Sequence, residues 1–404
     1  MFLYTLKPVQ QAFEVIEKSM KQTTTEKIPL ENAYKRIASQ DVISQLDSPP
    51  FSRSAMDGYA VKAEDTFKAS AKNPAQLFVV DRIGAGSKSH VVLKNGMAVK
   101  IATGAPIPEG ADAVVMEEYT QEQGDKLEVE TSLTPGDNVS YQGEDIKRDA
   151  VLIKQGKFLL PQDMAMIASG GYDEVVVYKK PRVAVLITGS ELVMPRKLLK
   201  DAEVINSNHY TLKALVESSE ALPALFHMED DEDKVKEMFI RLLENYDVLI
   251  TTGGTAISKG DVVVKVADEL GEILIHGVAM RPGKPFTYAM VNDKPVFMLS
   301  GYPVAAMVQY DVMVRKNLEK MQNLKIPLQM VRKKAARKIP STLGRVDYIR
   351  AKVEGDIVTP LNIKGSTNIR SMVDSNCYIV IEENLEGLDK DAECDVILYD
   401  ALRV

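Results

Sequence analysis

The stretch Tyr246–Asp261, YDVLITTGGTAISKGD, indicates the central element of the fold. Its unbroken apolar run Val248–Ile250 is typical of a strand buried on both faces of a parallel sheet. Gly253 and Gly254 follow this strand, and Val262–Leu270 then has the pattern of a helix. A glycine loop lets the backbone approach a ligand, and the N–H groups at a helix start favour an anion. Taken alone, the loop favours an ordinary strand–helix turn that needs glycine for its backbone angles.

The chain from Pro181 to Leu318 alternates strand and helix patterns around this stretch. Such a βαβ succession predicts a doubly wound parallel sheet with helices on both faces, and such sheets bind ligands beyond the carboxyl ends of their strands. Three glycine loops and the basic turn Arg281–Lys284 are predicted to lie at those ends. The predicted strands are Val183–Ile187, Val248–Ile250, Ile273–Met280 and Val296–Leu299, and the predicted helices are Ser207–Ser218 (capped by Ser207 or Asn208), Val235–Leu243, Val262–Leu270 and Val304–Leu318.

Shorter segments flank this region on both sides. Short β-like segments separated by turns predict a small β domain between Leu77 and Val129, and a second small barrel or sheet after Gln329. The basic stretch Arg332–Lys338 is interpreted as a solvated strand face rather than a nucleic-acid site. Apolar residues at helical spacing predict further helices at Val9–Met20, Leu30–Ile37 and Pro161–Ser169.

Length and composition restrict the class of protein. A chain of 404 residues exceeds one typical core, so several domains are expected. The net charge of −7 argues against nucleic-acid binding. No apolar run approaches a membrane span, and the amino terminus lacks a basic start and a cleavage site. Cys377 and Cys394 have no metal-ligand partners at finger spacing, and a disulfide is not expected. These features predict a cytoplasmic protein that binds neither nucleic acid nor a membrane.

Carboxylates stand beside small residues or glycines at several predicted strand ends. Acids in such loops suit a hard divalent cation such as Mg²⁺, and glycine-loop amides with Arg281 and Lys284 suit the anion that accompanies it. This pairing is typical of phosphate or pyrophosphate chemistry. For any single acid the favoured alternative is a helix cap or a solvated charge, and Asp230 has the position of a helix-start acid. The carboxylates are Asp57, Glu117, Asp145, Glu191, Asp230 and Asp261.

Other catalytic patterns are missing from the sequence. The four histidines show neither ligand spacing nor a Ser/His/Asp arrangement, and neither a Walker loop nor a complete dinucleotide fingerprint occurs. The segment Ser48–Ala60, SPPFSRSAMDGYA, is too dense in small residues for a plain linker and supports a binding loop and a structural turn equally. The residues alone thus predict a multidomain protein whose α/β domain binds a phosphorylated or oxyanionic ligand.

Seven motifs occur along nearly the whole chain in the order typical of one family. They are Ser52–Ala60 (SRSAMDGYA), Thr103–Pro106 (TGAP), Pro108–Met116 (PEGADAVVM), Gly143–Ile146 (GEDI), Thr188–Val193 (TGSELV), Thr252–Asp261 and Arg281–Phe286 (RPGKPF). Together they resemble the MoeA family, the molybdenum-inserting enzymes of molybdenum-cofactor synthesis, which are related to the E domain of gephyrin. Any one of these motifs would be a weak signal, but their shared order is specific.

The resemblance implies a fold of four parts. Residues 1–46 and 140–180 would form an elongated helical domain, with a β domain at 47–139 inserted into it. Residues 181–325 would form a doubly wound, MogA-like molybdopterin-binding α/β domain, and residues 326–404 a C-terminal β-barrel. The resemblance also implies a homodimer, in which each active cleft lies between the α/β domain of one subunit and the β domain of the other. Contact with the molybdopterin adenylyltransferase is a further implied partner interaction.

The implied reaction uses adenylylated molybdopterin and molybdate as substrates, with Mg²⁺ or another divalent cation as cofactor. The enzyme would hydrolyse the adenylate, insert the metal into the dithiolene of the pterin and release AMP. Arg281 and Lys284 would hold molybdate or the terminal phosphate. The residues expected around the cation and phosphates are Asp57, Thr103, Asp145, Glu191, Asp230 and Asp261, of which Asp57, Glu191 and Asp261 would bind the metal. The residues expected to shape the pterin pocket are Gly253, Gly254, Ser300, Gly301 and Pro303.

The sequence departs from the family pattern in the expected anion pocket. Arg281 stands where the family commonly has lysine, and Ser300 and Ala305 replace the proline and the last serine of the usual L-P-G-N-P-V-S. A guanidinium prefers two-pronged contacts and does not act as a lysine does. Two alternative functions are retained: a molybdopterin adenylyltransferase, which shares the α/β domain, and a non-catalytic binding scaffold like the E domain of gephyrin.

Overall fold

The computed structural model describes residues 6–253, 262–324, 330–361, 365 and 367–399. The chain divides into two compact units. We call Lys27–Val177 the inserted unit, and we call Met1–Glu26 together with Tyr178–Val404 the main unit. The boundaries at residues 46, 139, 180 and 325 that the family resemblance implies for four domains stay a prediction.

The helices of the described residues are short to medium in length. In chain order they are α1 Val9–Ser19, α2 Pro161–Ser169, α3 Asn208–Ser218, α4 Glu232–Asn245, α5 Val262–Leu270, α6 Pro303–Gln309, α7 Arg315–Met321 and α8 Arg370–Val373. A π-helical segment, Tyr310–Val314, joins α6 to α7, so the predicted helix Val304–Leu318 lies inside one continuous helical body. None of these helices, in the ranges that the structure describes, has the length and apolarity needed to cross a membrane.

Strands make up much of both units. Up to residue 178 they are β1 Thr25–Pro29, β2 Val42–Ile43, β3 Arg53–Ser54, β4 Gly58–Val61, β5 Ala75–Ile83, β6 Met97–Ile101, β7 Ala113–Met116, β8 Thr120–Gln123, β9 Lys126–Val129, β10 Val139–Ser140, β11 Val151–Ile153 and β12 Glu174–Tyr178. They continue as β13 Arg182–Thr188, β14 Leu192–Val193, β15 Val204–Ile205, β16 Leu222–Met228, β17 Val248–Thr252, β18 Glu272–His276, β19 Met280–Arg281, β20 Thr287–Val291 and β21 Lys294–Leu299. The last ones are β22 Met330–Ala335, β23 Ile339–Pro340, β24 Val346–Glu354, β25 Ile357–Pro360, β26 Cys377–Ile381, β27 Gly387–Leu388 and β28 Glu393–Leu398.

The main unit contains the predicted doubly wound sheet. Its strand order is β16-β13-β17-β21-β20-β18, and β17 is buried along its whole length between β13 and β21. Val248 and Ile250 pack into the core on the face covered by α3 and α6, whereas Leu249 packs into the core on the face covered by α4 and α5. A strand that contributes to two cores must be apolar at every position, which explains its unbroken apolar run.

The sheet differs from the prediction in two strands. First, β20 is antiparallel to both of its neighbours, β21 and β18, so the sheet is mixed rather than fully parallel. The predicted strand Ile273–Met280 therefore ends early, at His276, and Gly277 turns the chain with a φ of +86°. Second, the prediction omitted the edge strand β16, which contains Pro223 and is only partly buried. Proline is tolerated there because an edge strand has one side without ladder hydrogen bonds.

Two local predictions about helices are wrong. Leu30–Ile37 forms only a 3₁₀ turn at Leu30–Asn32, because Lys35 adopts a φ of +61°, which no helix accommodates. Neither Ser207 nor Asn208 caps α3 with its side chain; the Oδ1 atom of Asn206 instead accepts the N–H of His209, at 3.1 Å.

The inserted unit is organised around a six-stranded sheet with the order β7-β4-β6-β5-β9-β8. All its pairs are antiparallel except β5 with β6. Apolar cores cover both faces of this sheet, one containing Leu77 and Leu127 and the other containing Val99 and Val114. This architecture confirms the β character predicted between Leu77 and Val129.

The end of the chain forms a closed barrel. Strands β24, β25, β22, β28 and β26 pair in that order, and an additional pairing of β24 with β26 closes the ring. Cys377 and Cys394 are free thiols inside the barrel core. The short strand β19 pairs with the edge of β24, with Arg281 opposite Asp347. The basic turn that follows β19 is thereby attached to the barrel.

We expect Gly58→Ala to destabilise the inserted unit. A Cβ atom on Gly58 would lie 1.9 Å from the carbonyl oxygen of Val115, so β4 and β7 would have to separate. Overpacking of this kind costs about 1–3 kcal/mol, which should lower the midpoint of thermal unfolding by several degrees. The matched control is Gly84→Ala, because Gly84 has open space around its Cα and no positive φ. Equal melting midpoints for the two variants would contradict the packing described for β4.

Candidate functional site

The carboxyl ends of β13, β17 and β21 lie at one edge of the main-unit sheet, because these strands are parallel. Gly253, directly after β17, has a φ of +103°, and a Cβ there would lie 2.0 Å from the carbonyl oxygen of Thr188, the last residue of β13. The loop after β21 is also close, since a Cβ on Gly301 would lie 3.6 Å from the Cα of Gly253. The edge therefore presents three backbone loops in near contact. Gly254 and Asp261 lie outside the described residues.

A buried amide connects two of these loops. Asn208, the first residue of α3, donates from Nδ2 to the hydroxyl of Thr252 (3.1 Å) and to the carbonyl oxygen of Gly301 (3.0 Å). The hydroxyl of Thr252 in turn donates to the carbonyl oxygen of Ser300, at 2.8 Å. The sequence prediction assigned Asn208 no role beyond a helix cap, because asparagine at a helix start is usually a cap.

The same edge holds polar side-chain atoms that are buried and have no hydrogen-bond partner among the described residues. Such atoms cost free energy in the folded protein unless a ligand or water pairs with them. They are Thr188 Oγ1, Asn206 Nδ2, Asn208 Oδ1, His209 Nδ1 and Thr251 Oγ1.

Two of the predicted carboxylates follow neighbouring strands at this edge. Glu191 is exposed in the loop after β13, and Asp230 is exposed after β16, whose last residue pairs with Thr188. Asp231, and not Asp230, caps α4 by accepting the N–H of Lys234, at 3.1 Å. Asp230 therefore does not cap α4. Its side chain is exposed, which fits the alternative of a solvated charge, and its role in the site stays a prediction.

The basic turn Arg281–Pro285 reaches the same edge by another route than predicted. It does not follow a strand of the α/β sheet; it leads into the amino end of β20, where Thr287 pairs with Met298 near the carboxyl end of β21. An antiparallel strand brings its start to the edge where its parallel neighbours end. Pro303 occupies the first turn of α6, beside Ser300 and Gly301.

A cleft with a volume of about 960 Å³ lies between this turn and the C-terminal barrel. Its lining includes Ser300, Tyr302 and Ala305 from the loop after β21 and the start of α6. Among the described residues that line it, none is acidic and six are basic. The basic residues are Arg281, Lys284, Arg337, Lys338, Arg345 and Arg350.

The sequence analysis did not predict a site role for the four basic residues of the barrel region. The stretch Arg332–Lys338 was interpreted as a solvated strand face, and this holds only for β22, where Arg332 and Lys334 are exposed. Arg337 and Lys338 lie after that strand and line the cleft. They are distant in sequence from the basic turn that lines the same cleft, and no sequence spacing signals that approach.

Asp347 fixes part of this cationic lining. Its carboxylate is fully buried, forms an ion pair with the half-exposed Arg281 and accepts a hydrogen bond from the hydroxyl of Ser341, at 2.6 Å. The Nε atom of Arg345 lies 3.4 Å from the same carboxylate. Lys284, by contrast, is exposed and makes no ion pair with any other residue in the described ranges. Its ammonium is the most available cation of the turn.

A second cluster lies in the inserted unit. The Oδ1 atom of Asp57 accepts the N–H of Thr103 (2.7 Å) and its hydroxyl (2.9 Å). These two bonds, the N–H first, hold the pKa of Asp57 below its usual range. Glu117 is adjacent, since its N–H donates to the backbone carbonyl of Asp57, at 3.2 Å. Asp145 is exposed in a separate loop, where its N–H donates to the carbonyl oxygen of Ser48, at 3.1 Å.

The structure thus groups the predicted residues into two sets, Asp57 with Thr103 in the inserted unit, and the glycine loops with the basic turn in the main unit. Across the described ranges, no three or more His, Cys, Asp or Glu side chains are arranged to hold a metal ion. The metal-binding roles of Asp57 and Glu191 stay predictions, and Asp261 is outside those ranges.

Comparison with sequence families covers most of the chain. Residues 7–171 match the MoeA N-terminal region (domain I and II), and residues 184–320 match a probable molybdopterin binding domain. Residues 332–399 match the MoeA C-terminal region (domain IV). The second match spans the mixed sheet and its glycine loops, and the third spans the barrel.

Individual proteins match over nearly their full length. The chain is 37% identical to a putative molybdopterin biosynthesis protein of Methanocaldococcus jannaschii, over 97% of this chain and 98% of the relative. It is 34% identical to a molybdopterin molybdenumtransferase of Bacillus subtilis, over 97% and 94%. The crystal structure of the molybdopterin biosynthesis MoeA protein from Pyrococcus horikoshii aligns with a TM-score of 0.82 at 34% identity, covering 98% of this chain and 100% of that one. The chain, with its mixed α/β sheet, its inserted β unit and its closed barrel, belongs to the MoeA family.

Proposed function

We propose that this protein is a molybdopterin molybdenumtransferase. It hydrolyses adenylylated molybdopterin, inserts molybdate-derived metal into the dithiolene and releases AMP. The observation that carries this proposal lies in the main unit. Three backbone loops approach one another closely there, beside a cleft whose described lining residues include six basic ones and no acidic ones. One side of the site suits a phosphorylated pterin and the other suits a second, separate oxyanion.

The pterin and its phosphates bind at the carboxyl edge of the sheet. Gly253, Ser300, Gly301 and Pro303 shape this pocket with backbone atoms, and Gly254 is proposed to extend it. Backbone N–H groups in glycine loops and the amino end of a helix stabilise phosphate oxygens. The unpartnered atoms of Thr188, Asn206 and Asn208 are available to the polar groups of the pterin.

Molybdate binds in the basic cleft. Lys284 contributes a cation with no competing carboxylate, and Arg281 contributes a guanidinium whose orientation is fixed by Asp347. Arg337, Arg345 and Arg350 supply further positive charge from the barrel region. Grouped cations without lining acids favour a dianion over the neutral or cationic molecules of the cell. The hydroxyl of Ser300 lies at the junction of this cleft and the pterin pocket.

The carboxylates fit a divalent cation such as Mg²⁺. Both hydrogen bonds from Thr103 go to the Oδ1 atom of Asp57, so Oδ2 forms no bond to a described residue. The lowered pKa of Asp57 keeps its carboxylate ionised. Exposed carboxylates with free oxygens are the ligands that Mg²⁺ prefers. Asp57, Glu191 and Asp261 would hold the ion, with Asp145 and Asp230 in the surrounding shell. When bound, the ion supplies charge neutralisation for the phosphates during hydrolysis.

We also propose a cytoplasmic homodimer in which the α/β domain of one copy and the β domain of the other complete each site. The proposal follows from the family resemblance, which implies such a shared cleft. Asp57 and Lys284 belong to different compact units of the chain. Contact with the molybdopterin adenylyltransferase would allow direct transfer of the adenylylated substrate. Sedimentation of the purified protein should give twice the mass of the chain, and a monomer with full activity would disprove the shared site.

The function is tested by incubating the purified protein with adenylylated molybdopterin, molybdate and Mg²⁺. We expect AMP and molybdenum cofactor to appear together, because hydrolysis and metal insertion use one site, and we expect a chelator to stop both until Mg²⁺ is restored. AMP is measured by chromatography and the cofactor by reconstitution of an apo-molybdoenzyme. A parallel reaction with ATP and molybdopterin addresses the alternative: accumulation of adenylylated pterin there, with no cofactor in the first reaction, would identify an adenylyltransferase instead. If neither reaction shows turnover, the remaining alternative is a non-catalytic binding scaffold.

Lys284→Ala should weaken molybdate binding. The loss of one charge-assisted contact corresponds to about a tenfold rise in the molybdate concentration for half-maximal rate, with a smaller change in kcat. Lys334→Ala is the matched control, because Lys334 is exposed on β22 and does not line the cleft. An unchanged molybdate requirement in the Lys284 variant would remove this residue from the oxyanion site.

Thr103→Val should raise the pKa of Asp57. The valine keeps the backbone N–H that bonds Oδ1 but lacks the hydroxyl, so the ionised carboxylate loses one of its two stabilising bonds. The pKa should therefore move up towards its usual range without reaching it, as followed by the carboxyl carbon shift in an NMR titration. Asp47, whose pKa is lowered chiefly by the N–H of Arg148, is the internal reference and should not move. A shift of Asp47 alone, or none at all, would contradict this account.

A further inference from the structure

Gln309, the last residue of α6, connects two loops of the proposed site. Its side chain is fully buried. The Oε1 atom accepts the N–H of Ser300 at 2.7 Å, and the Nε2 atom donates to the carbonyl oxygen of Gly283 at 2.8 Å. The two partners also fix the orientation of the amide, because the reversed amide would place its NH₂ against an N–H and its oxygen against a carbonyl.

The contact is close as well as polar. Gly283 has a φ of +109°, and a Cβ there would lie 2.7 Å from the Cγ atom of Gln309. The glutamine side chain thus occupies the space beside the turn, and the turn rests directly on it. Gly283 precedes Lys284, the available cation of the cleft, so the position of Gly283 determines where the peptide carrying that cation lies.

The other attachments of the turn are made by the backbone. The strand that follows it, β20, pairs with β21. β19, which enters the turn, pairs with the barrel strand β24. The carbonyl oxygen of Lys284 accepts the N–H of Val278, at 3.0 Å, within the same hairpin. Gln309 alone, among the side chains of the described residues, bonds both to this turn and to the loop after β21.

The identity of residue 300 matters for this contact. The bond to Gln309 uses the backbone N–H of Ser300, which a proline at the same position would lack.

We infer that Gln309 is a positioning residue, which sets the spacing between the oxyanion turn at Gly283–Lys284 and the pterin loop at Ser300–Gly301. The inference rests on the proposed function for its consequence in turnover, but not for its consequence in structure. Gln309 touches neither substrate; it acts through the two backbone segments that it bonds.

The test replaces Gln309 with methionine, which has a similar volume but cannot form either hydrogen bond. The matched control is Gln322→Met: Gln322 is also fully buried, lies after α7 on the same helical body, and donates from Nε2 to the carbonyl oxygen of Ser219, at 3.1 Å, away from the cleft. Both variants lose buried hydrogen bonds and should lose comparable thermal stability. Only Gln309→Met should raise the molybdate concentration for half-maximal rate, by about tenfold, with a smaller effect on kcat.

A second measurement does not depend on turnover. Amide hydrogen exchange read by mass spectrometry should be faster in Gln309→Met than in the unchanged protein for peptides containing 281–286 and 299–303, and unchanged there in Gln322→Met. Equal molybdate requirements in the two variants, or unaltered exchange in both peptides, would overturn the inference. If the unchanged protein forms no cofactor, the proposed function fails, and the exchange measurement still decides whether Gln309 holds the two loops together.

Discussion

The carboxyl edge of the α/β sheet depends on the approach of the Gly253 backbone to the carbonyl oxygen of Thr188. No side chain fits between them, so β13 and β17 can end this close together only because residue 253 is glycine. This closeness places the hydroxyl of Thr252 where it can hold the carbonyl oxygen of Ser300, and Asn208 adds a bond to Gly301. Three separate strand ends are thereby held together by hydrogen bonds. Bonds that already exist between parts of a site reduce the ordering cost of binding.

Charge is distributed very unevenly along this chain. The net charge is −7, yet the described residues that line the cleft beside the basic turn are all basic or neutral. Exposed charges are screened beyond roughly 8 Å at physiological ionic strength, so acids elsewhere on the surface contribute little to the potential inside the cleft. Asp347 is the exception, since it is buried directly behind Arg281. A buried carboxylate of this kind reduces the local positive charge but holds a long, otherwise mobile side chain in one place.

Features that depend on residues close together in the sequence were predicted, whereas features that depend on distant residues were not. The run Val248–Ile250 predicts burial on two faces directly, and the order of the family motifs indicated a doubly wound α/β domain and the barrel. The antiparallel strand β20, which makes the sheet mixed, was not predicted. β16 was not predicted, because an edge strand that contains Pro223 lacks the unbroken apolar run of a buried strand. The roles of Arg337 and Gln309 were not predicted for a different reason. Strand pairing and helix packing between distant segments bring these residues to their partners. Sequence patterns report on residues that are close together in the chain. The residues that complete the site are far apart in the chain and meet only in the folded protein.

The burial of both cysteines in the barrel core has a chemical consequence. Burial raises the pKa of Cys377 to about 12 and also raises that of Cys394, and each thiol donates its hydrogen to a backbone carbonyl oxygen. Only a thiolate is a good ligand for a soft metal or a good nucleophile towards an oxidised sulfur. The two cysteines of this protein are therefore held in their inert, protonated form. A catalyst that transfers a metal to an ene-dithiolate therefore presents no cysteine thiolate that competes with the substrate for that metal.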